Sequence, residues 1–166
     1  YKIMQEKNKI ILDKYHFGSN FKNYSGVNNS FINKVIEDKV GNPIMLCIIY
    51  LLVAKSLKIN LIGINSPKHF ILAILEKTSK DVTFYNDELI DQVDFFIDPF
   101  YQGIFYGTDK YDLMLKEINF DLNDKVLLPA TNLDIVKRVM NNLIYALHTT
   151  GEKKSAKNLL KIVDAL

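Results

Sequence analysis

Arginine and cysteine are scarce in this chain of 166 residues, and both shortages limit the classes of function that the protein can have. Lysine and arginine together number 21, but the only arginine is Arg138, so the bidentate contacts that read phosphates and base edges are almost absent. The formal net charge is only +2, far from the strongly basic balance of nucleic-acid-binding domains. We therefore expect no nucleic acid among the partners of this protein.

The one cysteine, Cys47, has no second cysteine with which to form an internal disulfide. Chains without disulfides are typical of reducing compartments, so we expect a cytoplasmic location. The longest uncharged apolar run, residues 44–54, is much shorter than the roughly 20 residues that span a bilayer, and no membrane association is expected. The sequence has no glycine-rich phosphate loop, nucleotide fingerprint or metal-ligand spacing, so it predicts neither a cofactor nor a metal ion.

Helical patterns occupy the first third of the sequence. Residues 2–15 and 31–39 carry apolar side chains at helical spacing beside polar faces, which predicts two surface helices. Residues 44–54 are apolar on all sides, as in a helix that other elements enclose. Pro43 suits the first position of that helix because its missing N–H costs nothing there. The predicted core helix therefore runs from Pro43 to about Leu57.

Short β-branched and aromatic runs follow the core helix and predict strands at 61–64, 69–75, 82–85 and 93–98. We interpret them as an antiparallel meander packed on the core helix, which makes the fold class α+β. The next segment, 99–110, contains two glycines and is predicted to be a loop or a broken strand. Core packing suits the aromatic rings of this region better than a peptide groove does; they are Phe96, Phe100, Tyr101, Phe105 and Tyr106.

Helical spacing returns toward the C-terminus, first at 112–118 and then in two longer segments. The longer segments begin at Asn132 and Lys153 and are joined near Gly151, which predicts a hairpin of two antiparallel helices. We accordingly divide the chain into a core of residues 1–128 and a helical hairpin of residues 129–166.

The order of the predicted elements is the one that cysteine-based acyl transfer requires. A core helix with Cys47 precedes a strand with His69, and a later strand ends at Asp98. A thiolate near a helix N-terminus is stabilised by the helix dipole, a histidine on a facing strand accepts the thiol proton, and a carboxylate orients the imidazole. Cys47, His69 and Asp98 are therefore the catalytic candidates.

Four stretches of the chain carry a resemblance to a known family: GSNFKNY, NNSFINKVIEDKVGNPIMLCIIYLLVAKSLKINLIGINSPKHFILAI, FFIDPFYQG and the helical pair from Leu133 onward. Together they resemble the SirB-type branch of the transglutaminase-like superfamily, found in bacterial proteins with a tetratricopeptide-like tail. The resemblance covers about residues 10–165. It implies a transglutaminase-like (papain-like) core and a tetratricopeptide-like hairpin, with His69 as the strand histidine and Asp98 as the acid that orients it.

The resemblance also identifies a departure at the nucleophile. In superfamily members that work as thiol enzymes, the nucleophile lies two residues after the glycine that precedes the core helix, and that position is Pro43 here. Proline has no nucleophilic group. The nearest thiol, Cys47, lies four residues further on, on the same helix face and about 6 Å deeper along the axis. A lone cysteine in an apolar run is more often an inert core residue than a reactive thiol.

Each of the other candidates has a structural alternative. His69 could be a hydrogen-bonded structural residue, and Asp98 could cap the turn that begins at Pro99. Three loop asparagines could donate hydrogen bonds toward a site, but loop asparagines more often satisfy the nearby backbone; they are Asn29, Asn42 and Asn65.

Two main hypotheses of function follow. In the first, the chain is a non-catalytic module that binds a protein or peptide through a groove around His69 and Asp98, together with the helical tail. The alternative is a cysteine-dependent acyl-transfer enzyme of the protease or transglutaminase type. In it Cys47 attacks a carbonyl carbon, His69 acts as general base and then acid, and Asp98 fixes the imidazole tautomer. In a third hypothesis, the helical tail is the only functional surface.

Overall fold

The computed structural model describes residues 2–66, 69–75, 92–117 and 129–166. The chain divides into two compact units, the first made of Tyr1–Leu46 with Asn132–Leu166 and the second of Cys47–Thr131. The predicted division at residue 128 concerns domains rather than compact units, and it stays a prediction. The predicted strand at 82–85 lies outside the described residues.

The described elements confirm the α+β class. In chain order they are α1 (Lys2–Lys9), β1 (Gly18–Ser19), α2 (Ile32–Asp38), β2 (Val40–Gly41), α3 (Pro43–Ser56), β3 (Leu61–Ile64), β4 (Ile71–Leu75), β5 (Val93–Asp98), β6 (Ile104–Tyr106), α4 (Thr108–Glu117), α5 (Asn132–Thr149) and α6 (Lys153–Val163). None of the helices in these described ranges has the length and apolar character that a bilayer crossing needs.

Helices dominate the first unit. α1 continues into a π-helical turn at Ile10–Lys14, and the two segments together match the helix predicted over 2–15. α2 matches the helix predicted over 31–39. The two-residue strands β1 and β2 pair in parallel. α5 and α6 form the predicted hairpin, and Gly151 lies in the turn between them at a φ of +84°, a conformation that glycine adopts without steric cost.

α3 is a core helix, as predicted, and two neighbouring residues set its start. Pro43 occupies its first position, and Oδ1 of Asn42 accepts the backbone N–H of Met45 at 3.1 Å, which caps the helix. Ile44 and Tyr50 are at most 1% exposed. Leu52, by contrast, is 57% exposed, so one side of the second half of α3 faces solvent.

A four-stranded antiparallel sheet with the order β3-β4-β5-β6 forms the framework of the second unit. β3 and β5 have the predicted bounds, whereas β4 begins two residues after its predicted start at His69. The segment predicted as a loop or broken strand contains β6, and α4 begins at Thr108, earlier than predicted. Both elements pack on Phe96, whose ring stacks against Tyr106 at 5.7 Å and against Tyr111 at 4.5 Å between centroids. This packing explains why the glycine-containing segment is ordered as a strand.

The register of the sheet brings the end of β5 beside the start of β4. Ile97 pairs with Leu72 in an antiparallel ladder, so Asp98 lies at the same edge of the sheet as the residues that precede Ile71. His69 is two residues before Ile71. The two predicted site residues therefore meet at this edge although 29 positions separate them in sequence.

Candidate active site

His69 and Asp98 form a hydrogen-bonded pair at the edge of the sheet. Nε2 of His69 lies 2.7 Å from Oδ2 of Asp98, whose side chain is 2% exposed, whereas the His69 side chain is 20% exposed. A carboxylate only accepts hydrogen bonds, so Nε2 carries the hydrogen in the neutral ring and Nδ1 keeps its lone pair. Within the described residues no hydrogen bond to Nδ1 is present. The pair thus leaves one acceptor nitrogen on a partly exposed ring.

Asp98 also shapes the chain that follows it. Its Oδ1 accepts the backbone N–H groups of Phe100 at 3.0 Å and of Tyr101 at 3.3 Å, an arrangement typical of aspartate at the start of a turn. Gln102 and Gly103 then adopt positive φ values of +57° and +62°, which turn the chain back into β6. The sequence left two roles open for Asp98, partner of His69 or cap of a turn, and the carboxylate has both.

Tyr101 is the exposed neighbour of the pair. The centroid of its ring lies 5.9 Å from that of the His69 imidazole, and 56% of the residue is exposed. Of the aromatic residues for which core packing was predicted, Phe96, Phe100 and Tyr106 are buried, but Tyr101 is not. Tyr101 follows Phe100 in the turn, and the sequence pattern does not distinguish the ring that faces His69 from the one that faces the core.

Cys47 is fully buried, and its thiol donates a hydrogen bond to a backbone carbonyl. Its exposed fraction is 0%, and Sγ donates to the backbone carbonyl oxygen of Phe70 at 3.5 Å. Burial, and to a smaller extent the charge of Asp98, raise the pKa of the thiol well above its ordinary value. Among the described residues no hydrogen bond joins Cys47 to His69. The structure therefore brings His69 and Asp98 together, whereas the Cys47 thiol stays protonated and is hydrogen-bonded to the backbone. The catalytic role of all three residues stays a prediction.

Two tyrosine hydroxyls lie buried in the same unit, and sequence reasoning assigned them no part. The hydroxyl of Tyr111 donates to Oγ of Ser66 at 3.0 Å. The hydroxyl of Tyr106 has no hydrogen-bond partner in the part of the chain that the structure describes. Burial is the main cause that raises the pKa of Tyr106, and the charge of Asp98 adds to it. Both hydroxyls are therefore neutral at ordinary pH.

In the first unit, the predicted preference of loop asparagines for nearby backbone is confirmed for Asn29 and Asn42. Nδ2 of Asn29 donates to the carbonyl oxygens of Asn23 at 2.6 Å and Tyr24 at 3.0 Å. Asn42 caps α3 through its Oδ1. Next to it, Pro43 occupies the position that the resemblance assigns to the nucleophile, and it offers no reactive atom.

No group of three or more His, Cys, Asp or Glu side chains is arranged to hold a metal ion in the described ranges. The pair itself supplies an oriented imidazole that accepts a hydrogen bond or a proton at Nδ1, and a carboxylate that fixes the ring.

Comparisons with known proteins agree with the resemblance in outline. A sequence model of the transglutaminase-like superfamily matches residues 2–141. A UPF0162 protein of Xylella fastidiosa strain 9a5c is 26% identical over 170 residues, which cover 96% of this chain and 56% of that protein. A UPF0162 protein of strain Temecula1 is 35% identical over 71 residues, which cover 43% of this chain and 25% of that protein. F-box only protein 21 of Mus musculus is 24% identical over 152 residues, which cover 92% of this chain and 22% of that protein.

The chain thus spans little more than half the length of the first of these relatives and about a quarter or less of the others. No solved structure matches it significantly.

Proposed function

Because the chain belongs to the transglutaminase-like superfamily, we propose that it is a SirB-type member that lacks thiol chemistry and binds a protein or peptide. The observation that carries the proposal is the state of the only thiol: Cys47 is 0% exposed and its hydrogen is donated to the Phe70 carbonyl. Pro43, at the expected nucleophile position, supports it. In this proposal α5 and α6 are a tetratricopeptide-like tail. The proposal concerns this stretch, since the relatives are longer.

The retained pair acts in binding. Asp98 fixes the His69 ring so that Nδ1 is the acceptor nitrogen of a partly exposed side chain, and the ring of Tyr101 beside it adds apolar contact area. A partner with an N–H or O–H group can donate to Nδ1. Tyrosine is among the residue types enriched at the positions that contribute most to protein–protein binding. The cysteine is free of disulfide bonding, which suits a reducing compartment such as the cytoplasm.

The second candidate is a cysteine-dependent acyl-transfer enzyme, and the intact His69–Asp98 pair is the observation that favours it. Cys47 would attack a carbonyl carbon after giving its proton to His69. That step requires Sγ to leave the Phe70 carbonyl and approach the imidazole, and it requires a thiolate where burial raises the pKa. The geometry therefore supports the binding module better.

The rate at which iodoacetamide alkylates Cys47 in the folded protein, measured across pH, separates the two candidates. For the binding module we expect labelling only when the chain unfolds, at a rate that His69→Ala does not lower. Protein unfolded in urea serves as the control and should be labelled fully. Fast labelling of the folded protein below pH 8, lost in His69→Ala, would contradict the proposal and establish a thiolate–imidazole pair.

A further inference from the structure

A small cleft in the first unit is lined by residues that the proposed function does not use. Its polar lining comes from Ser25 and Ser30 in the segment before α2, from Asn42 at the start of α3 and from Asn142 on α5. Its aromatic lining comes from Tyr24 and Tyr145. We call it the asparagine cleft. It has a volume of about 30 Å³, room for about two water molecules. A cleft of this size accepts one chemical group of a larger ligand whose remainder lies outside.

The floor of the asparagine cleft is built from buried polar side chains with fixed positions. Ser30 is 6% and Asn42 is 5% exposed. Nδ2 of Asn42 donates to Oγ of Ser30 at 3.3 Å, while its Oδ1 accepts the N–H of Met45. The bond from the Met45 N–H fixes the amide orientation, since exchanging the oxygen and nitrogen of Asn42 would place an NH₂ group against that N–H.

Hydrogen-bonding capacity remains on this floor. Within the described residues the Ser30 hydroxyl hydrogen has no acceptor and the second Asn42 amide hydrogen has no partner. The half-buried amide of Asn142 has no partner there either. The cleft therefore offers one oriented amide donor, one rotatable hydroxyl donor and one amide that both donates and accepts.

The chemistry of the lining selects the class of ligand. None of the residues that line the cleft is charged, so neither a phosphate nor an isolated carboxylate finds a countercharge. An amide pairs best with another amide, because each has one donor side and one acceptor side. Tyr24 and Tyr145 are 53% and 61% exposed, and they supply rigid contact area beside the polar floor. A peptide main chain has this combination of N–H, C=O and flanking side chains.

We propose that the asparagine cleft binds an extended peptide segment of a partner protein, with the Asn142 amide paired to one peptide unit. Ser30 and Asn42 donate to a carbonyl oxygen of that segment, and Tyr24 and Tyr145 contact the side chains on either side. This inference rests on the proposed function for the class of partner and adds the surface at which the partner binds.

Panning a random dodecapeptide phage library on the immobilised protein tests the inference. Selected peptides are synthesised with a fluorophore, and their Kd is measured by anisotropy. We expect Asn142→Leu and Tyr145→Ala each to weaken binding about tenfold, the effect of losing a paired polar group or an aromatic contact. Asn141→Leu is the matched control, because Asn141 is exposed, adjacent and outside the lining, and it should leave Kd unchanged.

Several outcomes overturn the inference. If the selected peptides bind the wild type and both cleft variants equally, they bind at another site. If the library yields no binder, the protein has no surface that binds such peptides. A requirement for an acidic side chain or a free C-terminal carboxylate contradicts main-chain recognition. N-methylation of one peptide amide should abolish binding. Tyr145 is exposed, so Tyr145→Ala keeps the test valid if Asn142→Leu fails to fold. Reactive Cys47 in the alkylation experiment would refute the proposed function without affecting these readouts.

Discussion

The carboxylate of Asp98 is shared between the imidazole of His69 and the backbone of its own turn. Oδ2 lies 2.7 Å from Nε2 of His69, while Oδ1 accepts the N–H groups of Phe100 and Tyr101. One buried side chain thereby fixes both the ring and the loop beside it. This arrangement involves no thiol, so it does not depend on Cys47.

Replacing Asp98 with asparagine should change the tautomer of His69. The single side-chain oxygen of the introduced amide would serve the turn, so its NH₂ group would face Nε2 and require an acceptor there. We expect the hydrogen to move to Nδ1 and the free energy of unfolding to fall by about 1–3 kcal/mol. Nitrogen-15 NMR of the imidazole reports the tautomer, and urea unfolding reports the stability.

The control for this substitution is Asp94→Asn, an exposed carboxylate on the same strand, which should change neither quantity. If the Asp98→Asn protein kept the hydrogen on Nε2, the hydrogen-bond assignment at the pair would be wrong.

Because the pKa of Cys47 is raised in the folded chain, the free energy of unfolding should vary with pH in the alkaline range. In the unfolded chain the thiol loses its proton near its ordinary pKa of 9.0, whereas the folded chain keeps the proton to higher pH. Above about pH 9 the unfolded state therefore binds fewer protons, and the free energy of unfolding falls as pH rises, by at most about 1.4 kcal/mol per pH unit. Below that pH the thiol contributes no slope.

Urea unfolding between about pH 7 and pH 10, for wild type and Cys47→Ala, measures this contribution. Both proteins contain the same tyrosines and lysines, so the difference between their curves isolates the thiol. We expect the curves to be parallel at the lower end and to converge above about pH 9 as the wild type loses stability. Curves that stay parallel throughout would mean that the thiol has an ordinary pKa in the folded chain.

The hydroxyls of Tyr106 and Tyr111 should contribute differently to the free energy of unfolding. Both rings stack on Phe96, but only Tyr111 has a hydrogen-bond partner among the described residues, Oγ of Ser66. Tyr111→Phe removes that bond and should cost about 1 kcal/mol, whereas Tyr106→Phe removes a buried hydroxyl without a partner and should be neutral or stabilising by up to about 1 kcal/mol. Urea unfolding of the two variants side by side gives the comparison. A loss in Tyr106→Phe as large as in Tyr111→Phe would show that its hydroxyl is satisfied.

The sequence predicted the elements whose signals are local. Pro43 and the uniformly apolar run after it defined α3, and short β-branched and aromatic runs defined β3 and β5. The meeting of His69 with Asp98 followed from the antiparallel arrangement of strands that those patterns imply. Periodicity and turn chemistry are properties of neighbouring residues, so a single sequence is enough to detect them.

The surroundings of Cys47 could not be predicted in the same way. Helical spacing gave its position along α3, but the atom it bonds to is a main-chain carbonyl, which every residue carries. For β6 the sequence left a loop and a broken strand open because glycines flank it, and the stacking of Tyr106 on Phe96 that orders it joins side chains on two different elements. The asparagine cleft likewise combines residues between 24 and 42 with residues of α5 that lie at least 100 positions further along the sequence.

Adding a methyl group at Gly63 should disturb the residue that holds the thiol. A Cβ at this position would lie 2.6 Å from Cζ and 3.0 Å from Cε1 of Phe70, whose ring is 1% exposed and has little room to move. Overpacking of this kind costs about 1–3 kcal/mol, so Gly63→Ala should lower the free energy of unfolding by that amount.

The Phe70 carbonyl accepts a hydrogen bond from the Cys47 thiol, so Gly63→Ala should also speed the alkylation of Cys47. If labelling needs global unfolding, the rate should rise about tenfold for each 1.4 kcal/mol of stability lost. Gly107→Ala is the control, since no atom beyond the two neighbouring residues lies within 4 Å of a Cβ there, and it should change neither quantity. A larger acceleration than the stability loss explains would indicate local opening at Phe70, while an unchanged stability would mean that the sheet adjusts at Gly63 and that Phe70 is not rigidly packed.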